Sequence, residues 1–205
     1  MKSLLLSVVM MLSGLAATAQ FTAAEAFTTA PADIFPLLDK TTRLDMVDYY
    51  NSGLNTPSAN RLQGKSAITS LSPATLTVKV TESSSAQIAL LPLGNDTILA
   101  VVSTVATPGL DSTLKFYDKT WKQLPADKYF TVPAWKDWVN SGHDISEVTA
   151  YAPFMLASYF IDTDSGTLTA TNNLSTFLDE DTYQTLLPAL NKSLTYKWNG
   201  KRFTR

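Results

Sequence analysis

Between Leu76 and Val105 the chain is a succession of apolar runs cut apart by turn residues, and this pattern constrains the fold more than any other. Leu76, Val78 and Val80 alternate with Thr77, Lys79 and Thr81. A period of two puts one set of side chains in the core and the other in water, which predicts a half-buried antiparallel strand. Ser83-Ser84-Ser85 follows as a turn, then a strand over Gln87 to Leu93, punctuation at Gly94-Asn95-Asp96, and a third strand over Thr97 to Val105. Three sequential strands of this kind make a meander, and Thr107-Pro108-Gly109 breaks it. Leu114 and Phe116, then Trp121 and Leu124, predict one more short pair around Asp118-Lys119-Thr120, with Trp121 buried as the strand continues.

Helical patterns flank this region. Residues 20–32, rich in Thr and Ala, read as a flexible leader. From Asp33, Ile34, Leu37 and Leu38 stand at i, i+3 and i+4, and Thr42-Arg43-Leu44-Asp45 resembles a capping box with Asp in place of Glu. The next run sets Leu44, Val47 and Tyr50 on one stripe and stops at Gly53. Asn55 to Gly64 reads as a loop. Residues 125–146, with Pro133, Gly142 and four aromatics, are the candidate seam between two halves. Beyond it come strands at Phe154 to Asp162 and Thr167 to Thr171 around a turn at Thr163 to Gly166. A helix then begins at Asp179-Glu180-Asp181, where negative charge suits a helix N-terminus. A last strand, Leu194 to Trp198, turns at Asn199-Gly200, a strong hairpin signal, into a return strand at Lys201 to Thr204. The predicted fold class is α+β, with antiparallel sheets and two or three packed helices, formed by a single domain over residues 33–205. Its two halves are similar in kind, each placing helices beside a hairpin that ends in a Trp.

Residues 1–19 read as a secretory signal peptide: Lys2 supplies the positive end, Leu4 to Ala16 the apolar stretch, and Ala17-Thr18-Ala19 a small-x-small cleavage site. The expected location is therefore outside the cytoplasm, periplasmic or extracellular. A lipid carried at the cleavage point needs a cysteine, and the chain has none. No later stretch reaches the roughly 18 consecutive apolar residues of a membrane helix. Charged residues make up 17% of the chain, so 27 Thr and 19 Ser supply much of its polar surface. With 16 Lys+Arg against 18 Asp+Glu there is no basic field to hold a phosphate backbone, and nucleic acid is not an expected partner.

The motifs that carry chemistry are sparse. His143 is the one histidine, and with no cysteine a His/Cys zinc site cannot be assembled. A Ser-His-Asp triad, whose members can lie far apart in sequence, finds no G-x-S-x-G elbow to support it. Ser112-Thr113-Leu114-Lys115 matches S-x-x-K, but on a strand Ser112 and Lys115 point to opposite faces. Asp162-Thr163-Asp164-Ser165-Gly166 opens like a calcium loop, yet its glycine comes one residue early and Asn173 stands where the bidentate Glu belongs. A hairpin turn explains these residues better. Asp179-Glu180-Asp181 is better explained as helix-start charge than as an acid/base pair. No cofactor, metal site or catalytic residue is assigned. The feature worth pursuing is the aromatic cluster of Trp121, Tyr129, Phe130, Trp135, Trp138 and Tyr151. Such rings stack on sugars, anchor interfaces or fill a core. Tyr129, Trp135, Trp138 and Tyr151 are the candidate binding residues, with Trp135 and Trp138 at i, i+3 on a short helix.

Arg43-Leu44-Asp45-Met46-Val47-Asp48-Tyr49-Tyr50, Gly64-Lys65-Ser66, Leu76 with Thr81-Glu82-Ser83-Ser84, Phe116-Tyr117-Asp118 with Trp121-Lys122, and Tyr196-Lys197-Trp198-Asn199-Gly200 form an ordered series. From about Asp33 to Phe203 it resembles a secreted Bacteroidales family, the domain of unknown function numbered 3256. The resemblance implies an exported α+β protein and brings no catalytic residues with it. The expected function is a non-enzymatic binding or interaction protein of the envelope, with an unknown protein or glycan as ligand. The alternative is a glycan-directed hydrolase using paired carboxylates, which needs two carboxyls facing each other about 5 to 10 Å apart across an open cleft.

Overall fold

The computed structural model describes residues 20–54, 56–106 and 108–205; the expected signal peptide lies outside them. The chain opens with helices α1 (Ala23–Thr29) and α2 (Lys40–Asn51). Seven strands follow: β1 (Ser58–Ala59), β2 (Lys65–Leu71), β3 (Thr75–Thr81), β4 (Ser84–Leu93), β5 (Asp96–Ala106), β6 (Leu110–Tyr117) and β7 (Gln123–Leu124). They form one antiparallel meander in the order β1-β2-β3-β4-β5-β6-β7. Short helices α3 (Trp135–Trp138) and α4 (Ile145–Tyr151) lead to a second antiparallel sheet. This sheet contains β8 (Ala157–Asp162), β9 (Thr167–Asn172), β10 (Ser193–Trp198) and β11 (Phe203–Thr204), with α5 (Glu180–Leu186) between β9 and β10. Its order is β11-β10-β9-β8. The chain is α+β with antiparallel sheets, as expected, and the two portions differ in size.

The layers follow from which strand faces are apolar. On β4 and β5 both faces are buried: Ala86, Ile88, Leu90, Leu99 and Val101 pack under α1 and α2, while Ala89, Leu91, Ile98, Ala100 and Val102 pack against the second sheet. Strands covered on both sides read as continuous apolar runs rather than alternations, which is why Ile98 to Val102 shows none. The second sheet contributes Ile161, Leu168, Ala170, Leu194 and Tyr196 to this shared core. A third cluster, with Val148, Ala152, Leu174, Leu186 and Leu190, sits among α4, α5 and the chain around them. Residues 125–146, expected to hold a seam, send Phe130 and Trp138 into the core between the two sheets.

Polar side chains close the junction between the sheets. β8 is an edge strand, and an edge strand must find partners for its outward backbone groups. The Gln87 side chain donates to the Ile161 carbonyl at 2.9 Å and accepts from the Ile161 N–H at 2.9 Å, imitating one rung of a strand ladder. Ser112 Oγ accepts the Tyr159 N–H at 3.1 Å, and Asp111 the Ala157 N–H at 3.3 Å. Trp198 donates its indole N–H to the Pro92 carbonyl at 2.8 Å.

The N-terminal part departs most from expectation. Residues expected as a flexible leader contain α1, whose Ala23, Ala26 and Phe27 are fully buried. The signal was legible as Thr22-x-x-Glu25 ahead of a small apolar stripe, and Thr22 Oγ1 does accept the Glu25 N–H at 3.1 Å. The helix expected from Asp33 is instead a series of turns, closed by Ile34 N–H to Pro31 O and Leu38 N–H to Phe35 O. Pro36 brings no N–H, so a continuous ladder through this stretch loses a bond. The cap of α2 is Asp39, which accepts the Thr42 N–H at 2.8 Å, and not Thr42 itself. Its inward face carries Arg43 and Met46, whereas Leu44 and Tyr50 are exposed. A charged residue on the buried stripe defeats any reading based on apolarity.

Arg43 stays buried because its partners are fixed. Its guanidinium donates to the carbonyls of Phe27 and Ala30, each at 2.7 Å, and lies 5.9 and 5.8 Å from the Phe27 and Phe35 ring centroids. These carbonyls lie at the C-terminal end of α1, where helix carbonyls lack internal partners and positive charge is favoured. Burial pulls the Arg43 pKa down, and Asp39 partly opposes the shift.

Candidate functional site

The four candidate binding aromatics do not form one surface. Trp138 is 1% exposed and belongs to the core between the sheets, a correction to its reading as a binding residue, since a ring without accessible surface cannot stack on a ligand. Trp135 is half-buried against two core clusters. Tyr129 packs on Phe116 at 5.1 Å and lies 6.5 Å from Trp198. Tyr151, 57% exposed, stands apart on α4. It lines a groove of about 500 Å3 between α4 and α5, together with His143, Asp144, Glu147 and Thr185. The two carboxylates there come from the start of one helix rather than from opposing walls. Asp144 accepts the Ser146 N–H at 2.8 Å, and that bond holds its pKa below the ordinary carboxylate range.

Of the two other members of the cluster, Phe130 lies in the core between the sheets and Trp121 marks a second groove. It is buried, as expected, but in a turn rather than a strand. Asp118 organises that turn: its Oδ1 accepts the Thr120 N–H, the Thr120 hydroxyl and the Lys122 N–H at 2.8, 2.6 and 3.0 Å. These bonds, the Thr120 hydroxyl first, hold the Asp118 pKa down. The Trp121 N–H closes onto the Asp118 carbonyl at 3.0 Å, and its φ is 67°. Hairpins built on a type I turn put a left-handed residue here, ordinarily Gly or Asn. A bulky side chain in that conformation costs of order 1–3 kcal/mol and persists only where its surroundings hold it.

Those surroundings form a groove of about 350 Å3 on the helix-side face of the large sheet, where α1 and α2 stop short of β6. Asp33, Ser103, Thr113, Lys115, Tyr117 and Gln123 supply its polar groups, and Pro31, Ile34 and Val101 its apolar ones. Tyr117 and Trp121 pack at 5.3 Å with planes tilted by 55°. Burial, and secondarily the negative charge of Asp33, push the Tyr117 phenol above its ordinary range, so it stays neutral at physiological pH. The Trp121 indole Nε1 is buried and has no hydrogen-bond partner among the described residues, a cost of about 1–3 kcal/mol. Among those residues Ser58 Oγ is the other buried side-chain atom in that state. Lys115 lines this groove, while Ser112 faces the sheet junction and bonds the Thr104 hydroxyl at 2.8 Å.

Other motifs resolve as local structure. Asp162 is the hinge of the β8–β9 hairpin: its carboxylate accepts from Asp164 N–H, Ser165 N–H and the Ser165 hydroxyl, which lowers its pKa. Asp179 caps α5 by accepting the Thr182 N–H at 3.0 Å. No helix among the described residues is long and apolar enough to cross a membrane.

A helix layer on a seven-stranded meander, backed by a four-stranded sheet and opened by a polar groove beside a strained Trp, defines the class as a layered α+β protein. The chain belongs to the family described as "Protein of unknown function (DUF3256)", whose model matches residues 15–203. In structure it is similar to "a domain of an uncharacterized protein from Porphyromonas gingivalis W83", at 21% identity and a TM-score of 0.78 over 89% of this chain and 96% of that one. At that identity the likeness shows the fold alone. No curated protein matches the chain.

Proposed function

We propose that this is an exported, non-enzymatic binding protein of the envelope of a Bacteroidales bacterium, and that it takes its ligand in the groove beside Trp121. One observation carries the binding reading: a Trp held in a left-handed turn, with its buried indole N–H unpaired, lines an open polar groove. Strained, unsatisfied groups concentrated in one concave place are costs that packing alone gives no reason to keep. The export reading rests on Lys2, the apolar stretch Leu4 to Ala16 and the Ala17-Thr18-Ala19 site. The Porphyromonas neighbour agrees with the taxon.

Thermal-shift measurements against the small-molecule fraction of a Bacteroidales envelope extract test the binding reading. A ligand of the folded state raises Tm, by an amount equivalent to about 2.7 kcal/mol at a hundred times its Kd. Thr113 is exposed and lines the groove, so Thr113→Trp obstructs it. The extract is expected to stabilise the native chain and not the variant. Equal stabilisation of both, or of neither, overturns the groove as the binding site. N-terminal sequencing of the exported protein tests the other half; the expected first residue is Gln20, and a retained Met1 overturns the localisation.

A further inference from the structure

We infer that the Trp121 groove recognises a neutral saccharide, one of whose acceptor oxygens takes the indole N–H of Trp121. This rests on the groove being the binding site. The chemistry of the lining narrows the ligand. Trp Nε1 is a donor only, so the group it lacks is an acceptor: a hydroxyl, a carbonyl or a carboxylate. Asp33 lies close enough to Tyr117 to raise its phenol pKa, and the same field opposes a second anion beside the Tyr117–Trp121 pair. Lys115, two residues before Tyr117 on β6, lines the same groove and offsets the charge of Asp33. An uncharged ligand fits this field better than an anion. The rest of the lining, with hydroxyls on Ser103, Thr113 and Tyr117 and an amide on Gln123, both donates and accepts. Pro31 and Ile34 give an apolar edge for the C–H face of a sugar ring. The volume, about 350 Å3, lies at the lower end of small-ligand sites.

The indole N–H is closed off from solvent, so a ligand reaches it only when the Asp118 to Lys122 turn shifts. That shift releases a left-handed Trp and an unpaired donor, both costs of the unliganded state, and the ligand's contacts must offset the loss of the Asp118 hydrogen bonds that close the turn.

The test follows indole N–H resonances of the full chain by 15N-correlated NMR, with the Trp121 signal identified by its loss in Trp121→Phe. The probes are N-acetylglucosamine and its dimer, glucuronic acid, and the dipeptide glycylglycine, a zwitterion that Asp33 and Lys115 together could hold. The expected result is a saturable shift of the Trp121 indole, and of the 118–122 amides, with the neutral sugars. Glucuronic acid is expected to bind at least tenfold more weakly, and glycylglycine to leave the signal in place. If glycylglycine or glucuronic acid moves the indole and the neutral sugars do not, the saccharide assignment falls and the groove stands. If no probe moves it while Thr113→Trp still abolishes stabilisation by the extract, the saccharide assignment again falls alone. If that stabilisation survives in Thr113→Trp, both readings fall.

Discussion

Two buried side chains, Trp121 and Arg43, show how a single residue can be placed against its own local preference. Trp121 occupies a turn position where a residue without a Cβ is favoured, and its ring packing on Tyr117 keeps it there. Packing and polarity separate cleanly in two variants. Trp121→Ala removes the ring and is expected to cost about 3–5 kcal/mol, whereas Trp121→Phe keeps an aromatic ring and deletes the unpaired donor, so it is expected to be neutral or stabilising by up to about 1 kcal/mol. Urea melts of the two variants decide this; a large loss in Trp121→Phe shows that the indole N–H is satisfied in solution. Arg43 holds the Phe27 and Ala30 carbonyls, and Arg43→Met leaves both buried without their donor. A loss of about 2–3 kcal/mol is expected, and the same melts measure it. Neither role was legible in the residue itself: Arg43 sits in the ordinary helical run of α2, and only the end of α1 supplies the carbonyls that bury it.

At the scale of elements, the strands were legible and the helices less so. Alternation over Leu76 to Val80 and turn residues at Gly94-Asn95 located β3, β4 and β5, because a meander is built from neighbours in sequence and its signals are local. The leader expected over residues 20–32 became α1 because an apolar sheet face, assembled from strands far along the chain, needed covering. The junction between the sheets is likewise invisible to local pattern. Gln87 reads from the sequence only as the polar start of an apolar strand, yet its amide serves as a strand rung for Ile161. Gln87→Leu preserves volume and removes both bonds. It is expected to lower stability by about 2–3 kcal/mol and to speed hydrogen exchange at the Ile161 amide more than at the amides of β3. Uniform acceleration of all core amides would instead mean that the two sheets open as one unit.

For the whole molecule, acid and alkali act on different layers. The carboxylates of Asp39, Asp96, Asp118, Asp144, Asp162 and Asp179 all have depressed pKa values, through hydrogen bonds to backbone N–H groups, hydroxyls or Lys119. A depressed carboxylate adds stability above its unfolded pKa of about 3.9 and loses it as pH falls through the lower folded value. Stability is therefore expected to be flat from about pH 7 to 5 and to decline below about pH 4. Tyr159, packed between the sheets, is pushed up to about 12 by burial first and by Asp111 and Tyr196 after it. An acid with a raised folded pKa stabilises below its unfolded value of about 10 and loses that contribution as pH rises through about 10 to 12. Chemical melts across the full pH range, with tyrosinate absorbance followed in parallel, check both limbs; ionisation of all eight tyrosines near pH 10 without unfolding would contradict the burial of Tyr159. By itself, the sequence determined the fold class, the central meander strands and the family, since alternation, turn chemistry and motif order are written in consecutive residues. The tertiary structure alone decided that Trp138 is core while Trp121 lines a groove, because exposure depends on which distant surfaces meet. It also decided that the groove exists at all, since its walls are drawn from the loop before α2 and from β5, β6 and β7, residues brought together only when the helix layer settles on the sheet and stops short of its edge.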